Sequence, residues 1–207
     1  MKTLTTQITN TKRELILQTA RELLAKNGFA KTTLDDIANA LGMKKSSLYY
    51  YYTNKDALLE DVMKREEGNF CSMVGEALKK SDTAIDKIIN YEKAKFDYVR
   101  DTIKMHEIST SVLLEFKSKM YVHIQNIHKK EIEMLKTILD ESIKKKEIKK
   151  CDTTKVAGLI LTISEALRHR EFYFASFTVS KTIDFSNAVN EMIFAVKLIF
   201  DGISIHH

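Results

Sequence analysis

The sequence predicts an all-α protein: an N-terminal three-helix head joined by a long fourth helix to a C-terminal helical body. None of the 207 residues is proline, although average usage near ~5% would supply about ten, and proline is the residue that helix interiors exclude. Glycine occurs only at Gly28, Gly42, Gly68, Gly75, Gly158 and Gly202. That is too few for the turns of a sandwich or barrel, or for a loop that cradles phosphates. Apolar residues recur at helical spacing along most of the chain, which divides it into about nine segments.

The first segment runs from about Lys12 to Asn27, with Leu15, Ile16, Thr19, Leu23 and Leu24 on one face and Gly28 as its stop. Thr33 opens a short second helix. Its hydroxyl caps the helix, and Asp36 three residues on completes a pair of the capping-box type. This helix turns Ile37, Ala38 and Leu41 inward and ends at Gly42. A third helix covers about Lys45 to Tyr51. Asn54 caps a long fourth helix from Lys55 to about Lys79, softly interrupted at Gly68 and Gly75. The body follows as helices near Thr83–Ile103, His106–Lys117, Ser118–Lys146, Thr153–Phe177 and Phe185–Ile203. The lysines at 144–146, 149 and 150 suit a helix C-terminus, where cations meet the negative end of the dipole.

Net charge is +5, and its distribution is uneven. Residues 1–55 hold nine Lys or Arg against four acids, whereas the other 152 residues hold 24 of each sign. A basic module on a neutral body suits a protein that meets a polyanion at one end. Cys71 and Cys151 form neither a disulfide framework nor a zinc signature, so reduced thiols are expected. No stretch approaches ~18 uninterrupted apolar residues and the N-terminus has no apolar core segment. A cytoplasmic protein that does not use a membrane is therefore expected.

Two short helices joined by Gly42-Met43-Lys44 have the dimensions of a helix-turn-helix over about residues 33–52, a device whose second helix lies in the DNA major groove. The exposed face of that second helix would present Lys44, Lys45, Ser46, Ser47, Tyr49 and Tyr50. These are donors for phosphate oxygens and base edges. Leu48 and Tyr52 would pack inward.

The string TTLDDIANALGMKKSSLYYYYTNKDALL resembles the DNA-binding segment of TetR-family transcriptional regulators. In that family a T-x-x-x-I-A-x-x-x-G stretch precedes an L-Y-x-x-F-x-x-K-x-x-L stretch. Here these positions hold Thr33, Ile37, Ala38 and Gly42, then Leu48, Tyr49, Tyr52, Lys55 and Leu58. Ala20 and the Asn27-Gly28-Phe29 corner also look like that family, and the resemblance spans roughly residues 10–63. It implies that Thr33 and Lys55 hold phosphates at the N-termini of the second and fourth helices, and that Tyr49 and Tyr50 contact the backbone or bases. Two positions depart from the pattern, with Lys44 where the family usually has a serine cap and Ser46 where it often has glycine. Loss of the cap should cost ~1 kcal/mol of helix stability, which a phosphate contact by Lys44 would offset.

The expected organisation is a DNA-binding domain over residues 1–55 and an effector-binding, dimerising domain over residues 56–207. In the last helix Phe194 and Leu198 interrupt the polar stripe, so a second apolar face requires a neighbour. The resemblance implies a partner protomer, because that family dimerises through its last two helices, and a two-fold dimer matches a palindromic operator. Glu92, His128, Glu131 and Arg170 each interrupt an apolar stripe and face inward on a helical wheel. Either they form an internal ion-pair network, or they line the cavity in which the family binds small-molecule effectors.

No catalytic constellation emerges, and no cofactor is implied. His128 and Glu131 could share a helix face, but no third metal ligand is evident in the sequence. The expected function is that of a homodimeric, effector-responsive DNA-binding regulator, a repressor before an activator. The competing expectation is a helical ligand-binding or interaction protein whose helix-turn-helix is structural.

Overall fold

A computed structural model describes residues 2–79, 81–106, 108, 112, 115, 121–177 and 183–205, with only the backbone of residues 2–10, 105 and 106. The described residues form eight helices: α1 (Lys2–Asn27), α2 (Leu34–Ala40), α3 (Lys45–Tyr51), α4 (Lys55–Lys79), α5 (Ala84–His106), α6 (Tyr121–Lys144), α7 (Thr153–Ala175) and α8 (Ser186–Ile203). The helix expected near His106–Lys117 falls largely outside the described residues. None of the described helices is long and apolar enough to cross a membrane.

Contacts divide the chain into two compact units, one of Met1–Asn69 with His106–Met120 and one of Phe70–Met105 with Tyr121–His207. The first has a core of Ile16, Leu17, Ala20 and Leu24 from α1, Leu34, Ile37 and Ala38 from α2, Leu48 from α3, and Leu58, Leu59 and Val62 from α4, closed by Phe29 and Tyr52. Helix α1 ends where Gly28 takes a φ of 82°, the left-handed conformation that glycine adopts without strain. The Gly28 N–H donates to Leu24 O at 2.9 Å. The buried Thr32 hydroxyl lies 2.8 Å from Gly28 O and 3.2 Å from Leu23 O, answering carbonyls that the helix end leaves open.

The expected capping box is present at α2. The Asp36 N–H donates to the Thr33 hydroxyl at 3.1 Å, and the Asp36 carboxylate accepts the Thr33 N–H at 2.8 Å. At α4 the Asn54 side chain accepts the Ala57 N–H at 2.8 Å. Helix α3 has no side-chain cap, as Lys44 at the capping position before it implies.

In the second unit α6 packs on α7 and α7 on α8. Its buried residues include Ile88, Tyr91, Phe96, Leu135, Leu139, Ile160, Leu161, Met192, Val196 and Phe200. Helix α6 stops within the lysine run. Lys146 adopts a φ of 60°, and the Glu147 N–H returns to Ser142 O at 2.9 Å. The following turn is tied to the end of α8, with the Lys149 N–H on Ile203 O at 2.7 Å.

The structure departs from expectation in four places. Helix α1 starts ten residues before Lys12, because hydrophobic periodicity marks burial and the residues before Leu15 carry no apolar stripe. Leu15 points outward, 56% exposed, while Leu17 takes the inward place beside Ile16. Helix α4 runs through Gly68 and Gly75, each of which costs a helix about 1 kcal/mol without breaking it. In α7 the stripe that holds Arg170, with Leu159 and Phe174, is the outward one; the buried face carries Ala157, Ile160, Leu161 and Ser164. The apolar residues Leu159, Ile163, Leu167 and Phe174 line up at helical spacing, but that stripe is not the buried one, so spacing alone does not identify the inward face of this helix.

Candidate nucleic-acid interface

Seven residues form α3, and Leu48 alone among them is buried. It is fully enclosed, while Tyr49 is 41% and Tyr50 84% exposed. Lys44, Lys45, Ser46 and Ser47 are exposed beside them, as is Thr33 at the start of α2. The structure therefore gathers the residues expected to touch DNA on α3 and at the α2 cap. Lys45 Nζ lies 2.6 Å from Asp35 Oδ2 and 5.7 Å from the Tyr49 ring centroid. The hydrogen bond to Asp35 raises the lysine's pKa above its ordinary value, so it stays charged. The Tyr50 ring stands edge-on to Tyr51 with centroids 5.5 Å apart.

Lys55 is held differently. Its Nζ donates to Phe29 O at 2.6 Å and Thr32 O at 2.8 Å, and sits 4.2 Å from the Phe29 ring centroid. Two of its three donors thus serve the corner between α1 and α2, and one remains for an anion. The Thr33 hydroxyl also points to Asp36, 2.6 Å from Oδ2.

Behind the exposed face, Tyr52 ends α3 and ties it to α1 and α4. Its hydroxyl donates to Asp61 Oδ2 at 3.0 Å and accepts from Arg13 Nε at 3.2 Å, while Arg13 also pairs with Asp61. Burial raises the Tyr52 pKa. Burial alone would raise that of Asp61 too, but hydrogen bonds from Arg13 and Tyr52 hold it below the usual carboxylate value. Arg21 pairs with Glu66 at 2.9 Å and Arg65 with Glu14 at 3.0 Å. Asp61 and Glu66 of α4 therefore neutralise two of the cations counted over residues 1–55, while Arg65 of α4 neutralises one of the acids.

Glu115 was invisible to motif reasoning. Its Oε1 accepts the Ala30 N–H at 2.6 Å, and a Cβ added to Gly28 would meet its Oε2 at 2.5 Å. The nearest clue in the sequence is the glycine corner itself, which says that something packs close without saying what.

In the second unit Glu92 and Glu131 are buried, and the structure brings them to one cluster with Lys95 between them. Lys95 Nζ lies 2.5 Å from Glu131 Oε1 and 3.7 Å from Glu92 Oε2. The Tyr91 hydroxyl donates to the same Glu131 oxygen, and the Ser164 hydroxyl to Glu92 Oε2 at 2.5 Å. Desolvation pushes the Glu92 pKa up, against the opposing charge of Lys95. Lys95 went unremarked in the sequence, although it lies three residues after Glu92 and so shares its face. His128 borders the cluster through Glu165, with Nδ1 3.3 Å from Oε1. Arg170 is not part of it. Its side chain is about one-third exposed, bonded to Glu191 at 2.7 and 2.9 Å and to Glu171 at 2.7 Å. Phe194 and Leu198 lie on the outer face of α8, 64% and 55% exposed.

Comparison with known proteins bears on the same segments. The family model for "Bacterial regulatory proteins, tetR family" matches residues 16–62, which span α2, α3 and the Tyr52–Asp61 contact. Over 131 residues, 63% of this chain and 70% of the relative, the sequence is 28% identical to the biofilm operon icaADBC HTH-type negative transcriptional regulator IcaR of Staphylococcus aureus strain Newman. Over 134 residues, 65% and 69% of the two chains, it is 26% identical to the fatty acid metabolism regulator protein of Bacillus subtilis strain 168. The crystal structure of a transcriptional regulator from Cytophaga hutchinsonii superposes with a TM-score of 0.74 at 24% identity, covering 94% of this chain and 99% of that one.

Proposed function

Because this chain belongs to the TetR family of DNA-binding transcriptional regulators, we propose that it acts as a homodimeric repressor, released from a palindromic operator when a small molecule binds its helical body. Residues 1–55 carry the DNA-reading surface, and residues 56–207 carry the effector and dimer surfaces. The protein performs no catalytic step in this role. The observation that carries the reading is the division of α3, in which Leu48 is enclosed while Lys45, Ser46, Ser47, Tyr49 and Tyr50 stay in solvent. A helix anchored by one side chain offers the others to a groove. Thr33, Lys44 and the remaining donor of Lys55 would meet the flanking phosphates.

The repressor role is supported by the S. aureus relative, a negative transcriptional regulator. Dimerisation is supported by the exposed Phe194 and Leu198, large apolar groups one helical turn apart on α8. The effector site is supported by the polar cluster of Glu92, Lys95, Glu131 and Ser164 buried in the second unit. A gel-shift titration against duplex DNA from upstream of the protein's own gene tests the proposal. Retardation that survives excess unrelated duplex is expected. Equal competition by unrelated DNA would overturn sequence-specific regulation.

A further inference from the structure

His128 and Glu131 stand three residues apart on α6, the spacing at which two side chains of one helix reach a common ion. The fold supplies what the sequence could not show, a third donor from α7. One ligand atom each of His128, Glu131 and Glu165 lies within 4.8 Å of the other two. His128 Nδ1 and Glu165 Oε1 are 3.3 Å apart. Two ligands about 2.1 Å from one ion at a tetrahedral angle stand roughly 3.4 Å apart, so this pair is already at coordination distance.

Two further observations set the group apart from an ordinary ion pair. His128 Nδ1 is shielded from solvent and has no hydrogen-bond partner, despite the carboxylate beside it. A protonated imidazole paired with Glu165 would aim its N–H at that oxygen, whereas an imidazole lone pair aimed at a cation needs no such alignment. Glu131, for its part, is gripped at one oxygen: the Tyr91 hydroxyl and Lys95 Nζ both meet Oε1. A carboxylate held by an outer hydroxyl and an outer ammonium is oriented as a metal ligand is oriented.

We propose that His128, Glu131 and Glu165 form a binding site for a divalent first-row transition ion such as Zn2+, bridging α6 and α7. One imidazole and two carboxylates suit that class, because the nitrogen disfavours Ca2+ and Mg2+. His128 and Glu165 are each about one-third exposed, which leaves an approach for the ion and coordination positions for water. The site stands apart from the proposed operator binding and does not depend on it.

The test uses the full chain, stripped of metal and titrated with Co2+, read by visible d–d absorption and then by Zn2+ displacement. One Co2+ per protomer, with a band that Zn2+ removes, is expected. His128→Ala and Glu165→Gln should each weaken binding by more than the roughly 10- to 100-fold that loss of an outer partner costs, with melting curves confirming that both variants fold. Glu131 is unsuitable for substitution, because its removal would strand the buried Lys95. The variant carrying His206→Ala and His207→Ala should keep the band. Absence of a band in the wild-type chain overturns the site, as does its retention in either the His128 or the Glu165 variant.

Discussion

The ammonium of Lys55 sits 4.2 Å from the centroid of the Phe29 ring while donating a hydrogen bond to that residue's carbonyl oxygen at 2.6 Å. Lysine at this position therefore secures the α1–α2 corner and keeps one donor for the phosphate contact proposed above. Lys55→Ala should lower head stability by about 1.5 to 3 kcal/mol, the range for a hydrogen bond to a charged group. It should also weaken binding to all duplexes alike and flatten the dependence of affinity on salt. Thermal melts paired with salt-titrated fluorescence anisotropy check both parts. An altered base preference at unchanged salt slope would rule out the phosphate contact.

A second expectation concerns Gly28. Its φ of 82° disfavours any side chain, and an added Cβ would fall 2.5 Å from Glu115 Oε2 and 3.4 Å from Val112 Cγ2. Gly28→Ala should destabilise the protein by about 1 to 2 kcal/mol from backbone conformation alone, and by more while Glu115 stays in place. In Glu115→Ala the additional loss should disappear. A double-mutant cycle on melting free energies measures the coupling, and strictly additive effects would contradict the contact.

The sequence showed the head with more precision than the body, for a physical reason. Helix boundaries in the head coincide with chemistry that has local rules: Thr33 and Asp36 as a capping box, Gly28 and Gly42 as left-handed stops, Asn54 as a cap. Each acts within four residues. The contacts that organise the rest are long-range. Glu115 reaching Ala30, Arg13 reaching Asp61 and Glu165 completing the pair on α6 leave no trace in spacing. Arg170 was misplaced because the stripe around it, with Leu159 and Phe174, is apolar yet faces outward, so apolar spacing pointed to the wrong side of α7.

For the exposed face of α3, Tyr50→Ala should leave the melt within ~0.5 kcal/mol of wild type while reducing operator affinity, because the ring is 84% exposed. Lys44→Ala should behave differently, lowering the salt slope by about 1 as one phosphate contact is lost. Anisotropy at several salt concentrations separates a base-reading residue from a phosphate-binding one. A Tyr50→Ala variant with wild-type affinity would remove that residue from the interface.

The contact of Arg170 with Glu191 predicts a pH dependence. Hydrogen bonds from Arg170 hold the Glu191 carboxyl below its ordinary value of 4.5. Its contribution to stability is thus fully present above that value and lost as pH falls through the lower, folded-state value. The difference in melting temperature between wild type and Arg170→Met should therefore be constant from pH 7 to 5 and shrink below about 4.5. A difference that grows on acidification would show that the pair does not link α7 to α8 as described.

Phe194→Glu places a charge on the outer face of α8, where the wild-type ring is 64% exposed in the single chain. If this face meets a partner protomer, an unpaired carboxylate there is desolvated and strongly unfavourable. Sedimentation should then report a monomer, with far-ultraviolet dichroism unchanged. A dimer of undiminished affinity would exclude Phe194 from the interface.

The shortness of α3 has a consequence for how this protein can change. Seven residues with no side-chain cap have little stability as an isolated helix, so its position is dictated from outside by enclosed Leu48 and by Tyr52 clamped between Arg13 and Asp61. Shape and message are therefore written in different letters. If the proposed interface holds, substitutions at Lys45, Ser46, Ser47, Tyr49 and Tyr50 would alter which bases are favoured without opening the buried contacts that hold the helix. On that reading a descendant of this chain would acquire a new operator through surface changes alone, whereas a change at Leu48 or Tyr52 would disrupt the reading of every operator at once.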